Sequence, residues 1–374
     1  MNRYLNLRYP LLFVSMLFIS LISLGAIHPE QIQNSSVNIS KSEFAGMDKT
    51  GKFPEMGISE SIGTSVRTFR SALVDKNNTK WFLTERGILS FNEKEWILHV
   101  KNQNVPVQDL KNFAWEVNPN GEELWIASSK GATVAALPIE EGTAAVTYQA
   151  ENSQIMNNNV VQVAIGKNLM RWIGTAKGVS AFRNDKWLKG NYNDLYSEGM
   201  FEDYPITAMA TNTGGDSLYV ATDGAGIARI YRNDVDAITG ASVYARWGPI
   251  LLPSDKVYSV YITQNNTQWF GTAKGIARHV GSNTLANWTV FSTKDGLPDN
   301  FVQAITAEKS GKIWIGTKGG ASVYDGSKWV SFTRRNGLNS NNILCIVVDI
   351  SGVVWFGTDD GVTSYKDGEF TSYR

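Results

Sequence analysis

The stretches Ile313–Ala321, IWIGTKGGA, and Val354–Val362, VWFGTDDGV, decide the fold, because the same phrase returns five times upstream. It reads KWFLTERGI at Lys80–Ile88, LWIASSKGA at Leu124–Ala132, RWIGTAKGV at Arg171–Val179, LYVATDGAGI at Leu218–Ile227 and QWFGTAKGI at Gln268–Ile276. Its aromatics, Trp81, Trp125, Trp172, Tyr219, Trp269, Trp314 and Trp355, stand 44, 47, 47, 50, 45 and 41 residues apart. Periods in this range belong to solenoids and propellers. Apolar residues alternate at period two between Gly and Asn/Asp turns, which selects strands over helical repeats.

Each unit divides into four strands. In the last they are expected at Ile343–Ile350, Val353–Thr358, Val362–Tyr365 and Glu369–Tyr373. Four antiparallel strands make one propeller blade, so the expected fold is all-β, a seven-bladed β-propeller. The fourth strand is hard to place in units two and four. The first strand of each unit is apolar nearly throughout, as an innermost strand packed between blades should be. Aromatics recur 15 residues apart on the second and fourth strands, as in Trp81 and Trp96, Trp172 and Trp187, Trp314 and Trp329, Trp355 and Phe370. These read as packing residues, with small Gly and Ala on neighbouring sheets making room. Cys345, on an innermost strand, reads as a small buried hydrophobe.

Composition narrows the function. Lys+Arg and Asp+Glu balance at 35 each, and only 19% of residues are charged, so no basic footprint for nucleic acid is present. One cysteine makes neither an internal disulfide nor a thiolate zinc site. Residues 1–26 read as a signal peptide: Arg3 and Arg8 precede an apolar run that ends in small residues at Gly25–Ala26. An N-terminal anchor is the alternative. No later segment is apolar enough to span a membrane, so a periplasmic or secreted location is expected. Residues 27–63 read as a polar linker, within which 37–47 is a candidate closing strand, and the propeller is expected over 64–374.

Asp295–Val323, DGLPDNFVQAITAEKSGKIWIGTKGGASV, and Asn336–Thr363, NGLNSNNILCIVVDISGVVWFGTDDGVT, resemble the two-component regulator propeller repeat. That resemblance implies an extracytoplasmic sensor-type propeller that binds oligosaccharides. This chain would be a stand-alone propeller without a kinase, passing any signal to a membrane-bound signalling or scaffold protein. No cofactor is implied, and whether a metal binds is left open.

Two candidate ligand sites stand out. The turn between strands two and three holds Arg86, Lys130, Lys177, Lys274 and Lys318 in five units and Asp223 and Asp360 in the others. If those turns open on one face, the cations form an arc suited to anionic ligands. The connection Gly190–Pro205, GNYNDLYSEGMFEDYP, offers Tyr192, Tyr196 and Tyr204 among carboxylates, a composition suited to a neutral sugar. Asp236–Lys256, with Trp247, Pro249, Leu251 and Leu252, is the best protein-docking segment for the alternative of an interaction scaffold. WFLTERG is also similar to the repeat of the streptogramin lyases, which would imply a Mg²⁺-dependent elimination. The repeats offer only His99 and His279 as imidazole bases, and both read as structural, so no catalysis is expected.

Overall fold

The computed structural model describes residues 58–100, 104–188, 203–215, 217–232, 238–244, 252–281 and 287–374. Among them, 28 strands form seven four-stranded antiparallel sheets, each in chain order. The protein is a seven-bladed β-propeller. Its innermost strands are Phe69–Val74, Leu110–Asn118, Val160–Ile165, Ile206–Thr211, Val257–Ile262, Val302–Ala307 and Ile343–Val348. The outermost strands of blades two and four, obscure in sequence, lie at Ala145–Tyr148 and Ile238–Tyr244. The expected signal segment and candidate closing strand fall outside the described residues. No helix among those residues is long and apolar enough to cross a membrane.

The repeated phrase folds the same way seven times. A Thr or Ser ends each second strand (Thr84, Ser128, Thr175, Thr222, Thr272, Thr317, Thr358) and is buried. Its hydroxyl donates to the carbonyl of the glycine that opens strand three, at 2.7–3.1 Å. The same oxygen accepts a turn N–H, as from Lys177 at 3.2 Å and Asp360 at 2.9 Å. A hydroxyl that caps its own turn satisfies two backbone groups where no ladder bond is available. At Gly320 the backbone has φ +144° and an added Cβ would lie 2.2 Å from the Phe332 carbonyl oxygen, so no larger residue fits.

Blades meet where the inner strand of one crosses the second strand of the blade before it. Gly271, Gly316 and Gly357 sit at those crossings, and a Cβ there would fall 2.7 Å from Val302, 2.6 Å from Ile343 and 2.9 Å from Phe69 of the following blade respectively. The second-strand aromatics are buried beside them, among them Trp125, Trp172, Trp269, Trp314 and Trp355. In four blades an acid on or just beyond the inner strand accepts the indole N–H: Asp75 for Trp81, Glu116 for Trp125, Glu308 for Trp314 and Asp349 for Trp355.

The ring closes between blades seven and one with no strand exchanged among the described residues. Gly361 N–H donates to the Arg67 carbonyl at 2.8 Å, as Gly275 N–H does to Asn300 between blades five and six. Cys345 Sγ–H reaches the Phe69 carbonyl at 3.4 Å, and burial pushes that thiol up to about 12. Lys80 of blade one is fully buried between Asp349 of blade seven, at 3.2 Å, and Glu93. Burial holds its ammonium below the ordinary range against the pull of Asp349. The short helix Ile58–Ile62 covers this boundary through Ile58, which packs with Phe69, Trp96 and Trp355.

Lys80→Met would leave the buried Asp349 carboxylate without its cation. It is expected to cost about 3–5 kcal/mol in urea denaturation, with Asp349→Asn in the same chain recovering part of that loss. Strictly additive losses would contradict the pairing.

Candidate functional site

The second-to-third-strand turns and the connections between blades share one face, and all seven turn positions lie on it. Arg86, Lys130, Lys177, Lys274 and Lys318 are exposed there, one per blade. The two acids do not stand as free charges opposite the cations. Asp223 pairs with Lys256 at 3.0 Å, and Asp360 pairs with Arg374 at 3.0 Å. Beside the latter, burial pushes the Asp359 carboxyl up, but hydrogen bonds from Ser340 and Asn342 outweigh it and hold the group below its usual range. Two local cations therefore neutralise the acidic side of the face.

One sector of this face is built differently. The pairing of each inner strand with the second strand skips one residue near its start: Phe69 faces Thr84 while Ser71 faces Leu83, and Val257 faces Thr272 while Ser259 faces Gly271. The skipped residue therefore stands out of register beside the turns. In blade five it is Tyr258, whose ring stacks on Phe301 of blade six at 4.5 Å and 22°. Lys318 Nζ lies 3.8 Å over the other partner of that stack, the Phe301 ring. The Tyr258 hydroxyl donates to Asp223 Oδ1 of blade four at 3.1 Å. Burial raises the Tyr258 phenol and the bond to Asp223 adds to it, while the same carboxylate raises Lys256.

The result is a continuous platform over three blades: Lys318, Phe301, Tyr258, Asp223 and Lys256. Tyr204, 41% exposed, extends it, with its ring so close to Gly224 that an added Cβ would come within 2.8 Å. The structure thus brings together Tyr204, Asp223 and Lys318 of the expected residues. Tyr192 and Tyr196 lie outside the described residues, as do Trp247, Pro249 and Leu251. Leu252, read as an exposed docking residue, is instead 3% exposed and packs with Tyr244, Val257 and Phe270. Its side chain fills the gap between blades four and five.

Sequence reading missed Tyr258, Phe301 and Lys256. The available signal was the register of the bulge: an aromatic in a slot held elsewhere by Arg70, Lys111, Val161, Thr207, Gln303 and Leu344 faces outward, although its strand is apolar.

Both imidazoles are built into blade interiors. His279 is fully buried, stacks on Trp288 at 4.4 Å and meets Gln268 Oε1 through Nδ1 at 3.0 Å. His99 stacks on Trp81 at 5.0 Å, with Nε2 on Ser90 Oγ and Nδ1 on the Ile139 carbonyl. Among the described residues, no three His, Cys, Asp or Glu side chains gather as a metal site.

Burial lowers the His99 pKa from its ordinary 6.5. The unfolded chain therefore takes the proton first, so the stability from neutral His99 is complete above pH 6.5 and is lost as pH falls through the folded value. His99→Asn is expected to flatten that part of a pH–stability profile, and an unchanged slope would contradict the assignment.

The two-component regulator propeller family matches residues 296–319 and 337–360, the starts of blades six and seven. No curated protein sequence matches the chain. Among solved structures, the extracellular domain of the putative one component system BT4673 from B. thetaiotaomicron aligns with a TM-score of 0.58 at 17% identity. The alignment covers 81% of this chain and 39% of that one, so the chain spans about two-fifths of that domain's length. Virginiamycin B lyase from Staphylococcus aureus aligns with a TM-score of 0.58 at 13% identity, covering 79% of this chain and 92% of that one. The WD40 propeller domain of Doa1 aligns at 0.56 and 12%, covering 82% and 93%. Identities this low establish the architecture alone. The family match adds the repeat itself in two places: the chain is a seven-bladed ring whose sixth and seventh blades match the two-component regulator propeller repeat.

Proposed function

We propose that the protein is a ligand-recognition module of the sensor type, acting outside the cytoplasm and recognising an oligosaccharide. The observation that carries this reading is the Tyr204–Tyr258–Phe301 platform edged by Asp223, Lys256 and Lys318. Half-buried aromatic faces take the C–H face of a pyranose, and a carboxylate with two ammonium groups accepts and donates hydrogen bonds to its hydroxyls. Arg86, Lys130, Lys177 and Lys274, exposed on the same face, would extend the preference to acidic sugars. The extracellular BT4673 domain shares the fold and supports the location. Any output would pass through a partner such as a membrane-bound signalling protein.

Virginiamycin B lyase shares the fold as well, so a cyclic depsipeptide belongs in the same test. A thermal-shift panel of neutral and acidic oligosaccharides should contain at least one that stabilises the wild type, by about 2.7 kcal/mol at a hundredfold excess over Kd. Tyr258→Ala with Phe301→Ala should weaken that ligand about tenfold or more. No response to any sugar, or an equal response in the variant, would overturn the reading. Turnover of the depsipeptide would replace it with the lyase.

A further inference from the structure

On the opposite face, a cleft of 720 Å³ opens between blades five and six. Tyr261, Trp269 and Arg278 of blade five and Ala307, Ile313 and Tyr324 of blade six line it, as does Glu308, whose carboxylate accepts from the Trp314 indole at 2.7 Å and the Ser310 hydroxyl at 2.8 Å. Its origin is visible by comparison with two other blade boundaries. Between blades seven and one, Lys80 lies 5.2 Å over the Trp355 ring and pairs with Asp349. Between blades two and three, Arg171 lies 5.3 Å over the Trp125 ring and pairs with Glu116 at 2.6 Å. In both, a second-strand cation from the following blade and an inner-strand acid from the preceding one fill the space.

Between blades five and six, the cation's position is Ile313 and the acid's position is Thr263. The space is left open, yet a cation is there: Arg278, from strand three, with its guanidinium carbon 5.7 Å from the Trp269 ring. Arg278 makes no hydrogen bond or ion pair among the described residues, and its Nε is buried. Arg229 holds the same strand-three slot in blade four and is served by Ser217 Oγ and the Tyr244 hydroxyl. In blade five the Tyr244 position is Phe291, which has no hydroxyl to offer. The Nε of Arg229 is buried in the same way, but Arg278 differs in donating from none of its guanidinium nitrogens to the described residues; that is costly for a half-buried cation, and a carboxylate is the partner that the other two boundaries supply.

We propose that this cleft binds a sugar acid, whose carboxylate pairs with Arg278 in the place that Asp349 and Glu116 occupy at the other boundaries. Its volume is within the range of small-molecule sites. Gln264 and Asn265, exposed at the rim, face the hydroxylated body. The site is separate from the platform on the turn face, and either can fail without the other.

The test is the unfolding midpoint with D-glucuronate, D-glucose and sulfate as probes. Glucuronate is expected to raise the wild-type midpoint by about 2 °C or more at saturation, and glucose and sulfate are not. Arg278→Met, which removes the unpaired donor, should be at least as stable without ligand and should lose the response. Thr263→Asp, which supplies the acid internally, should raise the midpoint by itself and also lose the response. Tyr258→Ala with Phe301→Ala should keep it. A wild type insensitive to glucuronate, an equal shift with sulfate or glucose, or a shift that persists in Arg278→Met would overturn the proposal.

Discussion

Each inner strand must lie against the second strand of the blade before it, and one position sets how closely. It is the residue ahead of the turn-capping Thr or Ser: Leu83, Ala127, Gly174, Ala221, Gly271, Gly316 and Gly357. Where it is glycine, the neighbouring inner strand comes within a distance that no Cβ tolerates, as at Gly271 and Gly316. That approach brings Ser259 Oγ to the Val302 carbonyl and Gln303 Nε2 to the Ile343 carbonyl, linking blades five to six and six to seven. It also buries the large second-strand aromatics against their neighbours, at roughly 25 cal/mol for each Å² of apolar surface removed from water. The smallest and largest residues are therefore used for one purpose, and the tryptophans explain the ring rather than the ligand.

With the rings occupied in packing, the recognition proposed for this molecule falls to positions that packing leaves free. Two such places lie among the described residues, for different physical reasons. On the turn face, a bulge lifts Tyr258 out of the strand's alternation and lets it stack across a blade boundary. On the other face, Ile313 and Thr263 stand where two other boundaries have an internal ion pair, and they leave a space that Arg278 lines without a hydrogen-bond partner among the described residues. Both lie around blades four to six, away from the boundary where the ring closes.

The architecture was legible because it is written seven times. A period of 41–50 residues with glycine after each aromatic phrase leaves little freedom, and even the expected strands of blade seven differ from Ile343–Val348 and Val354–Thr358 only by a residue or two at the ends. The sites were less legible because they depend on differences between repeats. Asp223 and Asp360 looked like free acids because Lys256 and Arg374, distant in sequence, meet them only in the folded ring. Leu252 looked exposed because its segment carries no strand pattern, yet it fills a gap between blades. Arg278 carries no signal in the sequence, since its lack of an acid shows only beside the filled boundaries at Lys80 and Arg171.

Propellers often fasten their ends by mixing strands from both termini in one blade. Here the first and last blades each keep four strands of their own, and the boundary between them is held as the others are, by close packing at Gly357 and side-chain links. Native-state hydrogen exchange of the inner strands measures this directly. The amides of Phe69–Val74 and Ile343–Val348 should be protected to within about tenfold of those of Val302–Ala307, which lie at an internal boundary. Selective fast exchange in the two strands that close the ring would contradict the account.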